Sequence, residues 1–165
     1  MKYTLPYFGE LDLTDLEDRY DVSFEFNGEE IDADLNFDEA KIEQKHLDIV
    51  KNFLDKLTEF DAKNHQHILN DFRNEKGDTV KEYLSFHLEQ IPKDELVGLV
   101  DFNDTAVSPE EQLFKAIKLV RVGFYPHDEE QIVVFDYSIG RNLTDHIIVV
   151  DVDKKGNLNY ITMES

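Results

Sequence analysis

Apolar and polar positions alternate near the start of the chain. Val22, Phe24 and Phe26 fall on one face, and Ile31, Ala33, Leu35 and Phe37 follow after a break. A period of two predicts two half-buried strands, and the Asn27-Gly28 between them is a strong short-range signal for a hairpin. From about Asp38 to Ile117 the period lengthens to three and four. Leu47, Val50, Phe53, Leu54, Leu57 and Phe60 predict one long amphipathic helix. A second helix carries Ile68, Leu69 and Phe72 and ends near Gly77; a third carries Val80, Tyr83, Leu84, Leu88 and Ile91 and stops at Pro92. Short helices are expected from Asp94 to Val100 and after Ser108-Pro109-Glu110-Glu111. There Ser108 caps, Pro109 fills the first turn and Glu111 completes a capping box.

Strand patterns return in the last third, at Leu119 to Tyr125, Ile132 to Ile139, Ile147 to Val152 and Leu158 to Met163. Short polar connectors join them, which predicts an antiparallel meander. Strands, then helices, then strands make an α+β fold: an N-terminal hairpin, central helices and a C-terminal antiparallel meander, with the helices packed on the sheet. No linker or repeat interrupts the 165 residues, so a single domain spanning 1–165 is expected. Whether the hairpin extends the meander or forms a second small sheet is left open by the pattern.

Composition sharpens this picture through charge. The chain carries a formal net charge of −20. Such a charge repels phosphate backbones and anionic lipid, so no direct nucleic-acid partner and no membrane partner is expected. No run of about 18 apolar residues offers a membrane span, and Met1 to Pro6 lack the apolar core of a signal peptide, which points to a cytoplasmic protein. With no cysteine there is neither a disulfide nor a thiolate metal site.

The excess is concentrated. Residues 1–40 hold 13 acids against Lys2 and Arg19. A two-residue Asn27-Gly28 loop sets Phe26 opposite Glu29, Phe24 opposite Ile31 and Val22 opposite Ala33, which closes an apolar face. On the other face the same register sets Glu25 opposite Glu30, Ser23 opposite Asp32 and Asp21 opposite Asp34. Like charges in those positions are mutually destabilising. Upstream, Leu11 and Leu13 alternate with Glu10 and Asp12, so a third strand is expected to add two carboxylates to that face. Glu10, Asp12, Asp21, Glu25, Glu30, Asp32 and Asp34 thus form a candidate docking surface for a basic protein partner. The bland alternative is a solvated sheet face that resists edge aggregation.

Other chemistries find little support. Asp151 to Gly156 begins like a calcium loop, but Lys155 takes a ligand position and Thr162 stands where a bidentate Glu is required, so a hairpin turn is expected and no metal site is assigned. The six histidines show no metal spacing; His65 and His87 fall on apolar helix stripes, the place of partly buried structural histidines. No nucleophile elbow and no phosphate loop occurs, so no catalytic residue and no cofactor is assigned. One polar group remains: Arg121, Asp136 and Tyr137, with a short connection bringing Arg121 near Asp136 across adjacent strands. It reads as a structural ion pair or, alternatively, as a small-ligand or substrate site.

Tyr7 to Leu13, Leu119 to Pro126, Phe135 to Gly140 and Tyr160 to Ser165 together resemble an uncharacterised bacterial family filed as a domain of unknown function, the family numbered two thousand and four, of small acidic cytoplasmic proteins. The resemblance spans essentially the whole chain. It implies a bacterial, cytoplasmic protein and supplies no activity or catalytic residues. By class rather than by motif, small acidic α+β proteins also include immunity proteins that cover a toxin's basic active site. The sequence therefore points to a non-catalytic acidic binding module, immunity-type, rather than to an enzyme.

Overall fold

The computed structural model describes residues 1–165. Two strands, β1 (Lys2–Leu5) and β2 (Gly9–Asp12), form a small antiparallel hairpin of their own. The predicted Asn-Gly hairpin follows as β3 (Arg19–Phe26) and β4 (Glu29–Asn36). Its register is the one read from the sequence, from Phe26 opposite Glu29 to Asp21 opposite Asp34. Asn27 and Gly28 both take positive φ, 52° and 82°, the geometry that a two-residue turn between twisted strands demands.

Residues beyond β4 form α1 (Gln44–Asp55), α2 (Leu57–Arg73), α3 (Thr79–Gln90) and α4 (Pro109–Phe114), and then the meander β5 (Lys118–Phe124), β6 (Val133–Ser138), β7 (Ile147–Val152) and β8 (Leu158–Glu164). The larger sheet has the order β3-β4-β5-β6-β7-β8, so the hairpin extends the meander. Only β4 and β5 pair in parallel. Parallel neighbours need a long crossover, and the helical stretch between them is that crossover.

Several local expectations change. The long first helix is broken at Lys56, whose φ of −116° and ψ of 29° leave the helical region. The break lets Phe53 and Phe60 meet, ring centroids 4.3 Å apart, across two helices rather than along one. No Gly or Pro announces it. The helix expected from Asp94 to Val100 is a single 3₁₀ turn, Lys93–Glu95. Ser108 caps α4 by accepting from the Glu111 amide, but the Glu111 carboxylate reaches Arg73 at the end of α2. The capping box is half closed, and its other half ties α4 to α2.

The apolar core lies between the helices and one sheet face. Phe53 of α1 meets Phe124 and Phe135 of the sheet, and Ile31, Leu35, Val122, Ile148 and Val150 join them in burial. The β1–β2 hairpin closes the same side, with Tyr3 donating to Asp48 of α1 at 2.6 Å and Tyr7 stacked on Phe24 at 3.7 Å. No helix packs on the opposite sheet face. No helix of the protein is long and apolar enough to cross a membrane.

Candidate functional site: the open face of the sheet

Alternation along each strand decides which side chains reach the uncovered face. In β3 and β4 these are Asp21, Ser23, Glu25, Glu30, Asp32 and Asp34. In the meander they are Arg121, Asp136, Asp151 and Glu164, each a step along its strand from a core residue. Two sets of residues singled out separately in the sequence therefore meet on one surface. Glu10 and Asp12 do not join them. Their strand pairs with β1 in the separate small sheet, where Asp12 lies 3.6 Å from the Met1 amino group and 3.7 Å from Lys2. The backbone amide and then the hydroxyl of Thr14 hold the Asp12 carboxyl down at about 2.

Tyr137 also departs from the expected grouping. It is adjacent to Asp136 in a strand and so points to the other face, where its hydroxyl donates to Asp61 of α2 at 2.7 Å. Burial, reinforced by the Asp61 carboxylate, pushes that phenol well above its ordinary range.

Arg121 organises the centre of the open face. Its Nε donates to Asp34 Oδ1 at 2.7 Å and its Nη2 to Asp34 Oδ2 at 2.8 Å, a two-pronged contact that suits a planar guanidinium. Nη1 donates to Asp136 at 3.0 Å, and Nη2 also meets the Tyr125 hydroxyl at 3.1 Å. The cross-strand pair expected from the sequence is thus present, with Asp34 added to it. Asp34 is 2% exposed and Asp136 6%. The hydrogen bonds that Arg121 donates to Asp34 lead in raising its pKa further. Burial raises Asp136, and the opposing pull of Arg121 does not offset it.

Room for this guanidinium comes from Gly123. A Cβ there would sit 2.5 Å from Arg121 Nη2. Gly123 pairs with Asp34, so the missing side chain lies where the arginine crosses toward β4.

Of the like-charge pairs expected on the hairpin, Asp21 opposite Asp34 is relieved by arginine and Glu25 opposite Glu30 is not. Arg19 holds Asp21 at 2.9 Å and approaches Asp34 at 3.8 Å. Arg141 holds Asp32 at 2.9 Å and also donates to the Val120 carbonyl, while Ser23 donates to Asp32 at 2.8 Å. Toward the hairpin tip, Glu25 and Glu30 stay exposed without an ion pair, as does Glu164 in the last strand. A shallow depression lies over Arg19, Asp21, Asp32, Asp34 and Arg121.

Asp151 is the unusual member. It is fully buried, with Oδ1 accepting from Asn159 at 2.8 Å and Oδ2 without a partner. Burial raises its carboxyl above the ordinary range. It belongs to a strand, as expected, and the following Asp153 binds the amides of Lys155 and Asn157 at 2.9 Å to close the β7–β8 turn. No group of histidines and acids in the structure is arranged to hold a metal ion. Tyr125 and Tyr160, 36% and 40% exposed, are the large aromatic side chains on this side of the sheet.

The sequence reading missed Arg141, Gly123 and the role of Asp34. A glycine inside a strand is the one signal that pointed there, because it commonly marks a close approach. Comparisons with family models, with curated proteins and with solved structures find no match.

Proposed function

We propose that the chain is a non-catalytic acidic binding module that docks a basic protein, in the manner of an immunity-type protein of the bacterial cytoplasm. One observation carries the reading. The uncovered sheet face presents five accessible carboxylates, Asp21, Glu25, Glu30, Asp32 and Glu164, above the buried Asp34, Asp136 and Asp151, against the guanidiniums of Arg19, Arg121 and Arg141. An excess of one sign on an exposed surface steers a partner of the other sign and rejects like-charged ones.

The surface divides by role. Asp34 and Asp136 are buried beneath Arg121 and belong to the sheet's own structure. Glu25, Glu30 and Glu164 are exposed and unpaired, and so are free to meet a cationic partner. Tyr125 and Tyr160 supply aromatic contact area of the kind that anchors protein interfaces. A substrate clamp on Arg121 has no comparable support, since four hydrogen bonds already engage its three nitrogens and Tyr137 faces away.

The test is a pull-down from source-cell lysate with wild type beside E25K/E30K/E164K, at low and high salt. A basic protein held by wild type at low salt and lost from the variant supports the reading. Equal retention by both sinks it. Asp34 is left unchanged, because reversing it would test folding rather than docking.

A further inference from the structure

Two side chains of α3, one turn apart, hold the connection between β6 and β7, residues 139–146. The Tyr83 hydroxyl accepts from the Ile139 amide and donates to the His146 carbonyl, both at 3.1 Å, so it bridges the two ends of the connection. His87 grips it between those ends. Its Nδ1 lies 2.6 Å from the Tyr83 carbonyl and its Nε2 2.8 Å from the Thr144 hydroxyl, whose oxygen accepts from the His146 amide at 3.0 Å.

These partners fix the protonation of the ring. A carbonyl only accepts, so Nδ1 carries the hydrogen and Nε2 takes the hydroxyl hydrogen of Thr144. His87 is therefore neutral in this arrangement. A proton added at Nε2 would meet that hydroxyl hydrogen and turn an acceptor into a donor. It would also place a cation on a side chain that is 1% exposed. The surroundings supply no counter-charge. They are Tyr83 and Phe86 from α3, Thr144 from the connection and His146 at its end, whose ring is itself a base with its centroid 5.8 Å away. Among the histidines only His65 has a carboxylate within ion-pair distance. The same connection also reaches the open sheet face, where Arg141 holds Asp32 at 2.9 Å and donates to the Val120 carbonyl.

We infer that His87 is a pH-sensitive latch: neutral, it clamps residues 139–146 onto α3, and protonated, it releases them together with the Arg141–Asp32 pair. Burial holds the His87 pKa below its ordinary value of 6.5. In the released connection the ring titrates ordinarily, so the clamp is at full strength above about 6.5 and weakens as pH falls below that value. Release frees Asp32 of its arginine and adds a carboxylate to the exposed acidic surface. The latch itself does not depend on that surface having a partner.

The experiment is NMR of the full nitrogen-15-labelled chain between pH 7.5 and 5.5, reading ring nitrogens and amide hydrogen exchange. At pH 7.5 the His87 ring should show the Nδ1–H tautomer. Protection of the Ile139 and His146 amides, corrected for the intrinsic exchange rate, should fall about tenfold by pH 5.5 while the β4 amides keep theirs. H146N should retain this pH dependence and H87Q should flatten it. The tautomer and the H146N comparison decide the matter even where H87Q does not fold. An Nε2–H tautomer, a fall shared equally by β4, a transition lost in H146N or one kept in H87Q would each overturn the assignment.

Discussion

Asp136 and Tyr137 are neighbours in β6 that face opposite sides of the sheet, and each side accommodates a buried polar group differently. On the helix side Tyr137 is fully buried and meets Asp61 through a single short hydrogen bond. On the open side Asp136 is nearly as buried, but its partner is a guanidinium that also neutralises Asp34. The covered face excludes water with packed helices and tolerates few charges. The open face has no such cover, so long side chains lie across it and the charges compensate one another. What remains uncompensated there, at Glu25, Glu30 and Glu164, is exposed and available to a partner.

This contrast is best broken at Arg121. R121M leaves the buried Asp136 unpaired and Asp34 with only the Asn36 amide and the more distant Arg19, and should cost about 3–5 kcal/mol in urea unfolding. R121K should recover only part, because an ammonium lacks the planar fork that spans Asp34 and Asp136. Loss of less than about 1 kcal/mol in R121M would show that the network does not hold the open face together.

The covered face has its own probe. Y137F removes the donor to Asp61 and leaves the ring in place, at an expected cost of about 1–3 kcal/mol. A variant as stable as wild type would mean that the buried hydroxyl contributes nothing net.

Gly123 links sequence to the open-face network. Alanine there would meet the end of the Arg121 side chain at 2.5 Å and Val134 Cγ2 at 3.2 Å, and displacing the arginine breaks its contacts. G123A should therefore lose roughly 1–2 kcal/mol in wild type and much less in an R121M background, as coupled neighbours do. Additive losses would separate Gly123 from the arginine.

Asp151 gives the smallest effect and the clearest sign with pH. Burial raises its folded-state pKa above the unfolded value near 3.9, so the folded chain keeps its proton where the unfolded chain has lost it. The penalty is full at neutral pH and fades as pH falls through the raised value toward 3.9. D151N should thus be more stable than wild type at pH 7 by about 1 kcal/mol or less, with the gain gone near pH 3. A gain that persists in acid would assign the effect to packing instead of charge.

Much of this arrangement could be read before the structure. The hairpin register followed from a strict period of two and from Asn27-Gly28, which together allow one alignment of Phe24 with Ile31. The Arg121–Asp136 pair followed from a short connection between antiparallel strands. Asp34 was harder, because Arg121 reaches it across a parallel pairing 87 residues away, and parallel partners leave no local turn signal. Glu10 and Asp12 went astray for a related reason: alternation gives a strand's faces but not its neighbour. Tyr137 was misplaced by grouping adjacent strand residues, which a pleat sends to opposite sides. Asp61 carries no local sequence signal, because the tyrosine that meets it lies 76 residues away.

The central claim is that the exposed carboxylates, and not the buried network, meet the partner. The most direct measurement is the association rate of the captured basic protein with wild type and with E25K/E30K/E164K across ionic strength. The wild-type rate should fall steeply with salt and the variant rate should be slow and nearly flat, with both proteins equally stable to urea. Rates that match at every salt concentration would contradict it.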